Sequence, residues 1–287
     1  MKLMTWNIQW GRGADGRVDL DRIVAHVRRF SDVDVLCLQE VSAGYAELPG
    51  CDGGDQFAAL AQRLSGYTAI DGVATDAPHP AGGRRRFGNM IFSRWPVGPV
   101  LRHLLPWTAD PAVMSMQRIA LEATLASPIG PLRITTTHLE WYSAAQRAAQ
   151  VERLRELHGE AWAHAATGRP GTPADGPFDR VARGGPAVLA GDFNFRPEAA
   201  EYTRLQAPMA DATPRYRDAW AVLNPGRPHP PTVGVHDKAQ WPGPAFTMDF
   251  TFVSEDLAPR VKALRVDATS DASDHQPVLL DLDLAAP

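Results

Sequence analysis

Packed β-sheets with helices on their outer faces are the architecture that this 287-residue sequence predicts. Apolar, strand-like runs recur from one end of the chain to the other. Several of them are continuous rather than alternating, as in strands buried on both faces. The few helical patterns between them show no regular β–α alternation, which argues against a doubly wound parallel fold.

The predicted strands are Leu3–Trp6, Val33–Leu38, Met90–Phe92, Ile119–Leu125, Leu132–Thr137, Ala187–Ala190, Met248–Val253, Val261–Val266 and Val278–Leu282. A first helix is expected where Leu20, Ile23, Val24 and Val27 repeat at helical spacing behind Asp19 as N-cap. Phe57, Leu60, Ala61 and Leu64 repeat the pattern behind Asp55, and the longest helix is expected from about Ser143 to Ala165. Two long stretches, Gly168–Pro186 and Asn224–Pro244, are rich in Pro and Gly. Loops of that length in a compact domain serve a function or move. Strands continue on both sides of each, so one domain over residues 1–287 is expected.

Hydrophobic residues make up 44% and charged residues 22%, the balance of a globular protein that buries its core without disulfides. The two cysteines, Cys37 and Cys51, make no disulfide framework. The N-terminus lacks the apolar stretch of a secretory signal, and no segment reaches the ~20 apolar residues of a membrane span. A cytoplasmic location is therefore the default expectation. The net charge of −4 speaks against a large nucleic-acid footprint, though not against phosphodiester cleavage, because a metal site needs carboxylates. Arg84-Arg85-Arg86 is the one run of three basic residues, expected in a Gly-flanked loop that is either solvated or touches phosphate.

The chemistry lies in polar groups at the ends of apolar runs. Asn7 follows the first strand, Glu40 the second, and His138 ends the run through Thr137. Asp192 and Asn194 follow Gly191 at alternate spacing, so both can point the same way. Asp249 sits in a strand, and Ser273-Asp274-His275-Gln276-Pro277 precedes the last one. Each has a plain reading as a cap, a turn or a satisfied histidine. Together, left unpartnered, they would cost several kcal/mol, whereas convergence on one another and on a cation removes that cost. Carboxylates and amides without a Cys/His set suit Mg²⁺ or Mn²⁺ rather than zinc.

Thr5-Trp6-Asn7, Leu38-Gln39-Glu40, Thr137-His138-Leu139, Gly191-Asp192-Phe193-Asn194, Met248-Asp249-Phe250 and Ser273-Asp274-His275-Gln276-Pro277 span nearly the whole chain. In that order they resemble the endonuclease/exonuclease/phosphatase superfamily. The resemblance implies a four-layer α/β sandwich of two face-to-face mixed sheets flanked by helices, with a metal site at the strand ends. It makes Glu40 the main Mg²⁺ ligand, with Asn7 and Asp274 at the metal or the phosphate. Asp249 would orient His275, while Asp192 and Asn194 would position water and a phosphate oxygen, and His138 would face His275. Arg118 falls where some members keep a phosphate-contacting arginine. Two departures stand out: Thr247 replaces a basic residue common before the strand acid, and the Phe87–Phe92 strand offers His138 no acidic partner, although Glu140 is near in sequence.

The function expected is Mg²⁺-dependent phosphoester hydrolysis, first as a nuclease using Arg84, Arg85, Arg86 and Arg118 on a nucleic-acid backbone. The alternative is a phosphodiesterase or phosphatase of a small phosphorylated metabolite or lipid headgroup. For that substrate the Pro231–Asp237 loop, including His236, with Trp241 beyond it, would wall a pocket. A catalytically inactive binding module is the reading from a different class.

Overall fold

A computed structural model describes residues 1–167 and 183–285. Its strands are β1 (Lys2–Asn7), β2 (Val35–Ala43), β3 (Thr68–Pro78), β4 (Arg84–Ser93), β5 (Val97–Leu104), β6 (Ile119–Ser127), β7 (Gly130–His138), β8 (Ala187–Asp192), β9 (Tyr216–Asp218), β10 (Asp249–Ser254), β11 (Val261–Val266) and β12 (Val278–Leu282). They form two six-stranded sheets, ordered β11-β12-β1-β2-β4-β3 and β5-β6-β7-β8-β10-β9. Both are mixed: β1 runs parallel to β2 and β7 parallel to β8, and the other pairings are antiparallel. The helices are α1 (Leu20–Phe30), α2 (Gln56–Arg63), α3 (Ala144–Ala166), α4 (Ala200–Leu205) and α5 (Ala219–Leu223).

Three apolar layers hold these elements together. Between the sheets, Leu3, Val35, Cys37 and Ile91 of the first meet Leu121, Ile134, Val188 and Val253 of the second. Outside the first sheet, Met4, Trp6, Leu36 and Leu38 pack on Ile23 and Val27 of α1 and Phe57 and Leu60 of α2. Outside the second, Leu189, Phe250 and Phe252 pack on Val151 and Leu154 of α3 and Leu205 of α4. Consecutive β1 residues thus enter different layers, which is why the central strands read as unbroken apolar runs. The outcome is the expected four-layer sandwich.

The expected caps Asp19 and Asp55 hold, accepting from the backbone N–H groups of Arg22 and Ala58, and Ser143, expected inside the longest helix, instead caps it by accepting from the Gln146 N–H. Arg84, Arg85 and Arg86 do not occupy a loop; they open β4, paired with Asp76, Glu47 and Asp55 in turn. Most of the Gly168–Pro186 stretch lies outside the described residues. The other Pro/Gly stretch is stitched to the sheets, with Val233 bridging both Phe246 and His275. Among the described residues, no helix is long and apolar enough to cross a membrane.

Candidate active site

Strand register places the polar groups in rows. His138 lies level with Asp192 across the parallel β7–β8 pair, and Asp192 lies level with Asp249 across β8–β10. Asn7 pairs with Gln39 across β1–β2. Glu40 is not at the end of its strand, as the sequence suggested, but at a bulge within it, where the β2–β4 register slips between Leu38 and Val41. Its φ of 61° is left-handed, and the bulge turns the carboxylate toward the second sheet.

Beneath this row Gln39 ties the two sheets. Its buried amide donates to Thr5 Oγ1 at 3.0 Å in the first sheet and to Thr136 Oγ1 at 2.9 Å in the second. Asn7 binds the sheets one level higher. Its Nδ2 donates to Glu40 Oε1 at 3.0 Å and Asp192 Oδ2 at 2.9 Å, while its Oδ1 accepts from the Gln9 N–H at 3.0 Å. Asn7 therefore turns its amide N–H groups toward the two carboxylates and its oxygen toward the Gln9 N–H.

His275 Nδ1 lies 2.9 Å from Asp249 Oδ2, and its Nε2 lies 3.8 Å from Asp192 Oδ2. His138 Nε2 approaches the same oxygen at 3.5 Å and Glu40 Oε1 at 3.9 Å. Asp192 Oδ1 accepts from the Asn194 N–H at 2.9 Å, and Asn194 adopts a φ of 52°, which asparagine tolerates well. Asp274 Oδ2 accepts from Gln240 Nε2 at 2.9 Å and Trp241 Nε1 at 3.0 Å. Arg118 is buried, its Nε donating to Glu140 Oε2 at 3.2 Å. Glu140 thus serves Arg118 and not His138. In the Phe87–Phe92 strand it is the buried amide of Asn89 that shares a small cavity with His138 and Arg118.

These groups line a cleft of about 500 Å³. Glu40, His138, Asp192, Asn194, Asp274, His275 and Arg118 all face it; Asp249 stands behind His275. Arg84, Arg85, Arg86 and His236 are not part of its lining, and His236 Nε2 instead bonds the Ala268 carbonyl at 2.8 Å. Sequence reading missed Gln240, which secures Asp274, and the aromatic walls Trp10, Tyr45, Trp141 and Tyr142. Those residues sit in loops or, for Trp10, in a single 3-10 turn, with no periodic pattern to mark them.

Charge in the cleft is unbalanced. Burial, joined by the charge of Asp274, pushes the Glu40 carboxyl up to about 7. Burial also raises Asp192 to about 6, with His275 opposing the shift and Asp249 adding to it. Burial and the positive charges of Arg118 and His275 hold His138 well below its ordinary value, so its ring is neutral. Burial works against a charged His275, yet Asp249, Asp274 and Asp192 together hold its pKa well above the ordinary value. Glu40, His138 and Asp192 offer ligand atoms that all lie within 4.8 Å of one another, as do Asp192, Asp249 and His275. Crowded carboxylates that resist ionisation, with one Glu40 oxygen left without a partner by the Asn7 bond, suit a hard divalent cation. The residues fit such an ion.

The sequence model of the Endonuclease/Exonuclease/phosphatase family matches residues 4–275. No curated protein sequence matches this chain. An endonuclease/exonuclease/phosphatase from Beutenbergia cavernae is 25% identical with a TM-score of 0.59, covering 100% of this chain and 72% of its own. The human Nocturnin catalytic domain is 21% identical with a TM-score of 0.61, covering 99% of this chain and 93% of its own. A mannosyl-6-phosphatase from Bacteroides thetaiotaomicron is 16% identical with a TM-score of 0.64, covering 99% of both chains.

Proposed function

The chain belongs to the endonuclease/exonuclease/phosphatase family of phosphoester hydrolases, and from that premise we propose that it hydrolyses a small phosphoester with the aid of a divalent metal. One observation carries the choice of substrate. Arg118 is the only Lys or Arg among the described residues that line the cleft, and Arg84, Arg85 and Arg86 are each engaged by a carboxylate. A polynucleotide backbone draws its affinity from many such cations, whereas one arginine suffices for one phosphate. The nuclease reading keeps the support of the family alone.

Glu40, beside Asp274, would hold the cation, with Asn7 fixing Glu40 and Asp192 through its amide N–H groups. A bound Mg²⁺ or Mn²⁺ supplies charge relief to the phosphate oxygens and the departing alkoxide. Arg118, His138 and Asn194 line the space where the phosphoryl group would sit; neutral His138 can donate a hydrogen bond to it. Attacking water gives its proton to Asp192, whose Oδ2 lies 3.8 Å from Nε2 of the charged His275 ring. Asp249 fixes the orientation and the charge of the His275 ring through Nδ1.

A substrate panel with Mg²⁺, Mn²⁺ and EDTA checks this reading. Chromogenic phosphate mono- and diesters should turn over with metal and stop with chelator, while plasmid and oligonucleotide remain intact. Degradation of polynucleotide that weakens steeply with salt would restore the nuclease reading; no turnover of anything would leave the binding-module reading.

A further inference from the structure

Two aromatic side chains at the mouth of the cleft stand out against water. Trp141 is 39% exposed and Tyr142 54% exposed, on the loop that follows β7 and His138. Large rings left in water are usually scattered; here they adjoin each other and the reactive groups. Trp141 lies edge-to-face with Trp241, ring centroids 5.8 Å apart and planes at 86°. That geometry leaves at least one face of Trp141 uncovered by its partner. Trp141 also lines a second groove of about 460 Å³ that shares Asn194 and Met248 with the first. The ring therefore stands on the partition beside the position where the phosphate would sit.

We propose that this partition is a ring-stacking subsite, and that the substrate is a phosphoester whose alcohol portion carries a planar aromatic ring. The proposal rests on the phosphoesterase reading and narrows its substrate. Arg118, the one Lys or Arg among the described residues that line the cleft, is already paired with Glu140; together with His275 and a bound metal it acts on the phosphate, which every phosphoester carries alike. The remaining affinity has to come from apolar contact, and flat rings stacking on an indole supply it without regard to charge. The ring comes from a nucleoside or from a simple aryl alcohol; both share the same chemistry.

The test uses matched pairs that differ in the ring and not in the reactivity of the leaving group. Benzyl and cyclohexylmethyl phosphates form one pair, adenosine 5′-phosphate and ribose 5-phosphate the other. Each is offered as monoester and as methyl diester with Mg²⁺. The aromatic member should be favoured roughly tenfold or more in KM, the size expected of one stacked ring. Preference within only one pair distinguishes aryl from nucleoside as the source. Trp141→Ala should bring the ratio toward one, and Trp141→Phe should restore it. Equal KM values within both pairs overturn the ring subsite and leave phosphoester hydrolysis standing. Equilibrium binding of the same pairs, followed by tryptophan fluorescence, separates the two readings where turnover is absent. Tighter binding of the aromatic member then upholds the subsite while the hydrolase reading fails, and equal binding removes both.

Discussion

Asp192 is the residue on which the most partners converge. Its Oδ2 accepts from Asn7 and faces both His138 and His275, so it couples the two imidazoles electrostatically. In the proposed mechanism Asp192 and His275 act on one proton, and they should then fail together. Asp192→Asn and His275→Ala should each lower kcat by roughly 10²–10⁴. The double variant should fall little further, because neither group completes the transfer alone; losses that simply multiply would show that the two act independently. Glu40 presents a different balance. Its left-handed backbone and half-buried carboxylate both cost stability, so Glu40→Asn, which tolerates that φ, should stabilise the fold by about 1 kcal/mol. The same variant should lose its response in a metal titration. Sequence order revealed these residue types, since amides and acids after apolar runs demand partners. It did not reveal that Asn7 presents its N–H groups, or that Glu40 needs a bulge. Both depend on side-chain direction and register, which no local pattern encodes.

At the scale of elements, the strands missed by periodicity are β3, β5 and β9, and each is the edge of its sheet. An edge strand packs less, so its apolar signal thins. β5 even carries Gly98 and Pro99, which an edge tolerates because one side needs no ladder. The central strands and three capped helices were legible because burial on both faces and Asx or Ser caps leave strong marks. α4 and α5, with six and five residues, are too short for a period to show. The β7–β8 contact depends on an absent side chain. At Gly191 the φ is 148°, and a Cβ would lie 2.0 Å from the Thr137 carbonyl oxygen. Gly191→Ala should therefore destabilise by about 2–4 kcal/mol, read from urea unfolding, and disturb the level of Asp192 with His138. Wild-type stability and activity in that variant would show that the strands can part without cost.

The whole molecule answers to pH through buried charges far from the cleft. His158 Nε2 donates to the Pro214 carbonyl at 2.7 Å, while Nδ1 accepts from Arg133. Burial and the Arg133 charge bring its pKa down to about 3. Burial works to raise Glu122, but the nearby His103 ring, the bonds from Arg183 and the charge of Arg133 bring it down to about 2. Both folded values lie below those of the unfolded chain, so stability is full above the unfolded values and drains as pH falls. The His158 share is lost from 6.5 toward 3 and the Glu122 share from 4.5 toward 2. Each proton contributes a slope of about 1.4 kcal/mol per pH unit. Glu40 and Asp192, whose folded values are raised, work the other way as pH falls. The His158 share should therefore be read as the difference in urea midpoint between wild type and His158→Gln, with wild type losing ground to the variant below pH 6.5. A difference that stays constant there would assign the pH dependence to other groups.

The first sheet is assembled from both ends of the polypeptide, with β11 and β12 returning to cover β1, whereas the second is contiguous from β5 to β10. A nascent chain synthesised as far as Ser254 has every strand of the second sheet, yet β1 lies bare along one side and His275 has not been made. Synthesis must therefore pass through a state with an open, apolar strand edge that is available to chaperones or to aggregation. In the proposed mechanism, hydrolytic competence then waits for the segment that carries His275.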